Sequence, residues 1–365
     1  MRYIVLLFIC IITSNLNATD YKLTYYHPVD TRAFAKLAIN DKGKILSFSN
    51  NNGYMIIDPN EGEHIIDIDT YFPDITGFNI HSNFTAIRHL VAGNSIPYLY
   101  NYKTGIEYLD IFQSRNAHPI DINDNNNIIG YYQLGNEIGK KNQRPFLRLI
   151  EKDGRVRIID LGVGSDLTQS SSQLLSISDV KLTSINNKDQ ILGYFLGSKL
   201  NHFGEIESSG YFPFVYDLYN IEILPIVEKE VRSLSQMQIN DDGMILIPRD
   251  GKTEIWRKND YEFERILIED FRFIAFNDSG TILGRLMTKD SHGVGQFEPV
   301  IWKDGKIIHL GYENVDYSLI TDKKPGYISM IHPVEFVDIN NDGQILCRFS
   351  FGSEYCIGIL EQTEE

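Results

Sequence analysis

Cysteine is scarce, three in 365 residues, which is too few for a disulfide-stapled scaffold. Basic residues are outnumbered, 34 Lys and Arg against 49 Asp and Glu. No Lys/Arg cluster stands against that acidic excess, which disfavours nucleic-acid binding through a general basic surface, and no nucleic-acid partner is expected. The nine histidines are scattered, without a His-x-x-x-His or Cys-x-x-Cys pairing that would suggest zinc. Gly-x-Ser-x-Gly, a Walker loop and a dinucleotide fingerprint are missing too, and no cofactor is expected. What is present is apolar mass: 42% of residues are hydrophobic and 12% aromatic, enough for one large core or two smaller ones.

Long apolar runs are missing except at the start. Met1-Arg2-Tyr3 opens a short positive region, and Ile4 to Thr13 runs uninterrupted into Ser14-Asn15-Leu16-Asn17-Ala18. That run is too short to span a bilayer and has the form of a secretory h-region cleaved after Ala18. Cys10 follows bulky Phe8-Ile9, which disfavours a lipoprotein site. Residues 1–18 are therefore expected to be a signal peptide. Residues 19–365 are expected to be an exported domain, periplasmic or extracellular, monomeric and without a membrane span.

One phrase recurs. Ile39-Asn40-Asp41-Lys42-Gly43-Lys44-Ile45-Leu46 returns from Ile122-Asn123, Ile185-Asn186, Ile239-Asn240, Phe276-Asn277 and Ile339-Asn340. A degenerate seventh copy fits at Phe78-Asn79, with Ser82 in the glycine slot and Ala86-Ile87 resuming the strand. The phrase reads as a hairpin turn: the Asn side chain bonds backbone two residues on, and the fourth residue enters the left-handed region. Gly43, Gly243, Gly280 and Gly343 suit that position, while Asn126 and Asp189 are the other residue types that tolerate it. Two adjacent apolar residues follow each turn, which predicts strands covered on both faces.

Pro145-Phe146-Leu147-Arg148, Pro213-Phe214-Val215-Tyr216 and Pro299-Val300-Ile301-Trp302 read as third strands. Asp153-Gly154 and Asp304-Gly305 then turn into fourth strands. Four-stranded antiparallel units at this spacing predict an all-β, seven-bladed β-propeller. Its blades are expected near 34–73, 75–112, 117–162, 181–226, 233–269, 272–311 and 334–361. The last unit lacks a fourth strand, and Tyr21 to Tyr26 is an orphan strand at the other end of the chain. Residues 20–27 are therefore expected to complete the last blade and remove both edges.

The phrases Ile-Asn-x-x-Gly-x-Ile-Leu-Gly-Tyr, Pro-Phe-Leu and Ile-Ile-Asp-Leu-Gly resemble the HAF family, a probable extracellular repeat of exported bacterial proteins. The resemblance covers most of residues 34–361 and is strongest around Asn123, Asn186 and Asn277. Arg144-Pro145-Phe146 and Phe212-Pro213-Phe214 stand where the family has His-Ala-Phe. The resemblance implies export and a propeller-like repeat, and it transfers no catalytic residue. The Ser-x-Asp-x-Gly-x-x-Trp boxes of propeller sialidases are missing.

Asp338-Ile339-Asn340-Asn341-Asp342-Gly343 matches the first half of a calcium loop, but its twelfth position is Phe349 rather than Glu. A hairpin turn explains it better, as it does Asp121 to Asn125, and no metal is expected. Cys347 and Cys356 flank a hairpin centred on Phe351-Gly352 and would sit opposite each other, as a disulfide or as two buried thiols. Topology sends the second-to-third-strand loops and the blade connections to one end. The long segments there, Gln133–Arg144, Leu196–Gly210 and Leu286–Gln296 with Val163–Ser178 and Tyr312–Pro333, carry Lys140, Lys141, Arg144, His202, Phe203, His292 and Tyr327, groups suited to recognition. The expected function is a binding or scaffold module for a protein or glycan ligand. The alternative is a polysaccharide-acting hydrolase or lyase using carboxylates near the central channel.

Overall fold

The computed structural model describes residues 21–29, 37–49, 53–66, 74–79, 82–89, 95–114, 116–133, 143–162, 174–201, 203, 205–228, 234–259, 262–289, 295–310, 315–316, 319, 331–351 and 354–363. Strand β1 (Tyr21–Val29) comes first. Blade 1 holds β2 (Ala38–Ile39), β3 (Ile45–Ser49), β4 (Gly53–Asp58) and β5 (Gly62–Ile66). Blade 2 holds β6 (Asp74–Phe78), β7 (Phe84–His89), β8 (Ser95–Asn101) and β9 (Gly105–Tyr108). Blade 3 holds β10 (Ala117–Ile122), β11 (Ile128–Gln133), β12 (Gln143–Ile150) and β13 (Val156–Asp160). Blade 4 holds β14 (Leu174–Ile185), β15 (Ile191–Leu200), β16 (Ile206–Tyr216) and β17 (Ile221–Ile223). Blade 5 holds β18 (Gln238–Ile239), β19 (Ile245–Arg249), β20 (Lys252–Lys258) and β21 (Phe263–Glu269). Blade 6 holds β22 (Phe271–Phe276), β23 (Ile282–Lys289), β24 (Gly295–Lys303) and β25 (Lys306–His309). After β26 (Val315–Asp316), blade 7 holds β27 (Ile331–Ile339), β28 (Ile345–Phe351) and β29 (Glu354–Gln362). Each sheet is ordered as its strands follow in the chain, except that blade 7 reads β26-β1-β29-β28-β27. The fold is a seven-bladed β-propeller of four-stranded antiparallel blades, as the repeat count predicts.

The second strands explain why each sheet has two dry faces. Ile45-Leu46, Ile128-Ile129, Ile191-Leu192, Ile245-Leu246, Ile282-Leu283 and Ile345-Leu346 are all buried, so adjacent residues pointing to opposite faces both pack against apolar neighbours. The Gly of the Ile-Leu-Gly-Tyr phrase meets a spatial requirement. A Cβ on Gly130 would lie 2.3 Å from the His118 carbonyl oxygen, and one on Gly193 would lie 2.4 Å from that of Lys181. First strands carry a bulge beside the partners of these glycines, between Pro119 and Asp121 and between Leu182 and Ser184. After the fourth strand, Leu109, Leu161, Leu224 and Leu310 donate N–H to the carbonyls of Pro97, Pro145, Pro213 and Pro299, and all four leucines are buried.

β1 completes blade 7. It runs antiparallel to β29, from Tyr21 opposite Gln362 to Val29 opposite Tyr355. Leu23 is fully buried in a core with Ile345, Phe349 and Leu360. β26 adds a parallel fifth strand outside β1, through Tyr21–Val315 and Lys22–Asp316, a pairing the sequence did not announce.

The cysteine register corrects the expectation. Phe351 pairs with Glu354, so the hairpin is centred later than Phe351-Gly352. Cys347 faces Gly358, and Cys356 faces Phe349. The thiols are diagonal rather than directly opposite. Both are free and buried. Cys347 donates to the Gly358 carbonyl at 3.5 Å, and burial pushes its thiol pKa up to about 12.

The chain divides into two compact units. One comprises residues 1–65, 249–256 and 264–365, the other 66–248 and 257–263. Within each, the repeated turns are bonded from blade to blade. In the second unit the Asn79 amide donates to the Asn123 carbonyl at 3.0 Å, Asn123 to Asn186 at 2.8 Å and Asn186 to Asn240 at 2.8 Å. In the first, Asn277 donates to Asn340 and Asn340 to Asn40, both at 3.0 Å. The next residue forms a parallel series. Asp124 N–H donates to Asn187 Oδ1 and Asn187 N–H to Asp241 Oδ1, while in the other unit Asp278 N–H donates to Asn341 and Asn341 N–H to Asp41. Each Asn oxygen meanwhile accepts backbone N–H groups of its own turn, for example Lys42 and Lys44 on Asn40. The seventh copy obeys the same geometry: Ser82 has φ 62° and donates N–H to the Asn79 carbonyl. There the apolar slot after the turn begins at Phe84, earlier than Ala86.

Candidate binding surface

Every blade has a turn end, where the Asn phrases lie, and a loop end, where the second-to-third-strand loop and the connection to the next blade emerge. The Asn side chains of the turns and the carboxylates just before them are committed to neighbouring backbone. Asp338 Oδ1 accepts the N–H of Ile339 at 2.9 Å and its Oδ2 that of Ile39 at 3.1 Å. Asp121 does the same for Ile122 and Ile185. These carboxylates, first members of the calcium-like phrases, fasten one blade to the next. Among the described residues no group of three His, Cys, Asp or Glu could hold a metal ion.

Exposed apolar side chains have the opposite distribution. Of the large ones left exposed among the described residues, only Ile106, Val156 and Tyr219 lie toward the turn end of their blade. Toward the loop end lie Tyr108, Phe112, Phe203 and Ile206 in one unit, and Met287 and Phe297 in the other. Phe203 is 76% exposed at the tip of the β15–β16 hairpin. That hairpin is held by the Asn201 side chain, which accepts the N–H groups of Phe203 and Glu205. In blade 6, Met287 pairs across the strands with Phe297, and the Arg272 guanidinium lies 5.2 Å from the Phe297 ring centroid.

The loop end of blade 3 is built most elaborately. The connection from blade 2 makes a tight turn over Ile111 to Ser114, with Ser114 N–H on the Ile111 carbonyl at 2.9 Å. Its two central residues, Phe112 and Gln113, have φ 53° and 54°, the type I′ geometry normally given to Asn-Gly. The conformation costs about 1–2 kcal/mol for each residue with a Cβ. The surroundings impose it: Asp110 Oδ1 accepts Gln113 N–H, Ser114 is hydrogen-bonded to Gln133, the Asn116 amide donates to Gln133 Oε1, and Ile111 is buried. Phe112 is nonetheless 43% exposed. It packs on Tyr132 with ring centroids 4.6 Å apart, a contact worth about 0.5–1.5 kcal/mol. Replacing Phe112 alone would relieve one residue's share of that strain, about 1–2 kcal/mol, which is of the same order as the contact the ring makes.

Tyr132 connects that ring to an ion pair. Its hydroxyl donates to Asp160 Oδ2 at 2.8 Å. Burial and then the Asp160 carboxylate push its pKa up to about 12, against a smaller opposing effect of Arg144. It therefore stays a neutral donor. Arg144, opposite Tyr132 on β12, grips Asp160 with two nitrogens, Nε to Oδ1 at 3.1 Å and Nη2 to Oδ2 at 2.6 Å. Gly162 N–H completes the coordination of Asp160.

Arg144 and Phe203 are thus the sequence-derived recognition residues that the structure places, at the loop ends of blades 3 and 4. Lys140, Lys141, His202, His292 and Tyr327 lie outside the described residues. Phe112, Tyr132 and Asp160 escaped sequence reasoning. Phe-Gln carries no turn signal, so the one mark that singles out Phe112 is a backbone angle.

Two carboxylates are anchored rather than reactive. Burial alone would raise the pKa of Glu254, but hydrogen bonds and charges from Arg249, Trp256 and Arg265 lower it on balance. Asp58 is likewise lowered on balance by Lys44 and two backbone N–H groups, against burial. A general acid needs the opposite shift.

The sheets and their bonded turns define the class, a β-propeller whose turns bond blade to blade and whose loop ends hold most of the exposed large apolar groups. No protein-family model matches the sequence, and no curated protein matches it. Solved structures that resemble it include the WD40 β-propeller domain of Doa1, at TM-score 0.42 and 10% identity, covering 94% of this chain and 98% of that one. An ulvan lyase of a polysaccharide lyase family aligns at TM-score 0.37 and 9% identity, over 76% of this chain and 80% of that one. The acylaminoacyl peptidase of Pyrococcus horikoshii aligns at TM-score 0.43 and 12% identity, over 76% of this chain but only 43% of the peptidase.

Proposed function

We propose that this chain is an exported binding or scaffold module, recognising a protein or glycan through the loop ends of its blades after loss of residues 1–18. The carrying observation is the asymmetry within each unit: turn ends carry the blade-to-blade bonds, and loop ends present most of the exposed aromatic and aliphatic side chains. Cleavage after Ala18 would leave Thr19-Asp20 ahead of β1, which begins at Tyr21. The resemblance of the repeat to the HAF family points the same way. The test compares residues 19–365 with a version in which 134–142, 200–206 and 290–294 are each replaced by an Asn-Gly turn, using a glycan array and pull-downs from the extracellular fraction. Binding lost from the trimmed protein, with an unchanged far-UV spectrum, supports the reading. Binding retained in full refutes it.

A further inference from the structure

We propose that the loop end of blade 3 is a subsite for a neutral sugar ring of a glycan, stacked on Phe112 and hydrogen-bonded by Arg144. The inference rests on the binding-module reading and gives it a ligand class. A pyranose has an apolar C–H face and a rim of hydroxyl and ether oxygens. Phe112, half-exposed, supplies a ring backed by Tyr132, which is itself immobilised by its bond to Asp160. The turn beneath is held rigidly through Asp110, Ser114 and Gln133, so the platform loses little freedom when a ligand docks.

Opposite Tyr132 on the next strand, Arg144 has given Nε and Nη2 to Asp160, and among the described residues nothing pairs with its Nη1. That nitrogen carries two donors suited to sugar oxygens. Asp160 is filled by Arg144, Tyr132 and Gly162. It cancels the guanidinium charge, so the pair offers directed N–H groups without a net field for an anion. This selects an uncharged polyhydroxylated ring over a uronate, sulfate or phosphate. A purely apolar peptide side chain would leave the guanidinium donors unmatched.

The test uses residues 19–365 on an array of neutral oligosaccharides (glucans, mannans, galactans and xylans) beside uronate and sulfated oligosaccharides. Affinity for the best neutral ligand is then measured for the unmodified protein, Phe112→Gly and Arg144→Gln. Phe112→Gly removes the ring and also the steric penalty of the left-handed turn. The expected result is roughly tenfold or greater loss of affinity with an equal or higher melting temperature. Arg144→Gln is expected to weaken binding as well. The proposal is overturned if Phe112→Gly binds as tightly as the parent, if that variant melts several degrees lower because the ring is structural, or if acidic glycans are preferred. It is also overturned if no neutral glycan binds. In that last case, a protein partner lost on trimming the three long loops leaves the binding-module reading standing, and no partner of either kind removes both.

Discussion

Asn186→Ala tests the blade-to-blade bonding directly. The Asn186 amide donates to the Asn240 carbonyl and to Gln190 Oε1, both at 2.8 Å, and its oxygen accepts the N–H groups of Lys188 at 3.1 Å and Gln190 at 2.9 Å. Asn186 and Asn240 are both buried, so alanine orphans at least a carbonyl and an N–H that water reaches poorly. At about 1–3 kcal/mol for each orphaned group, the loss is about 2–6 kcal/mol. A chain this long unfolds with an entropy of roughly 0.7 kcal/mol per degree, so the melting temperature should fall by about 3–8 °C. Circular dichroism melts would measure it, with Asn125→Ala as control, since that exposed amide makes its contact with the Asn187 carbonyl in solvent and should shift melting by less than about 1 °C. Asn186→Asp separates the two halves of the interaction. It keeps the oxygen that accepts from the turn and replaces the donor by an acceptor facing Asn240. Equal melting of Asn186→Ala and Asn125→Ala would refute the idea that these side chains join the blades.

Three further outcomes follow. In a chain lacking residues 1–18, native protein should leave Cys347 and Cys356 unlabelled by a thiol reagent, whereas denatured, unreduced protein should label both; a denatured protein that labels only after reduction would show a bridge. Glu254→Gln breaks a buried carboxylate's pairing with Arg249 and Arg265 and should cost roughly 2–4 kcal/mol at pH 7. Because the folded pKa of Glu254 is depressed below the usual 4.5, its contribution is present above that value and fades as pH falls through the folded pKa; the gap between parent and variant in chemical denaturation should close there, and a gap constant down to pH 2 would contradict it. Deleting Tyr21 to Tyr26 strips blade 7 of buried Leu23 and Tyr21 and bares the β29 edge, so the protein should melt several degrees lower and self-associate in sedimentation; a monomer of unchanged stability would count against the strand's role.

The blades were legible because the sequence repeats what each one must do locally. Asn at the turn, a residue tolerant of positive φ three places later and an apolar pair beyond it survive even in the degenerate copy, where Ser82 takes the glycine's place. The orphan strand at Tyr21 was legible for a different reason: a sheet one strand short predicts its own complement. Contacts between neighbours were not legible. Nothing in a linear pattern says that the Asp338 carboxylate reaches the N–H of Ile39, so the phrase around it resembles a cation loop until the acceptor is seen. The hairpin at Phe351 misled because Gly352 attracted the turn, whereas Phe351 still pairs, and that small shift moved Cys347 and Cys356 out of opposition. Phe112 was hidden because a turn made of Phe and Gln violates the residue preferences by which turns are found.

The direction of the turn bonds bears on how such a chain can change over generations. Asn123 gives its amide to the following blade and receives that of the preceding one on its own carbonyl, so a single repeat bears both plug and socket. A duplicated or lost copy would meet neighbours already fitted to it, without compensating changes in either. These turn bonds therefore do not themselves fix the number of copies.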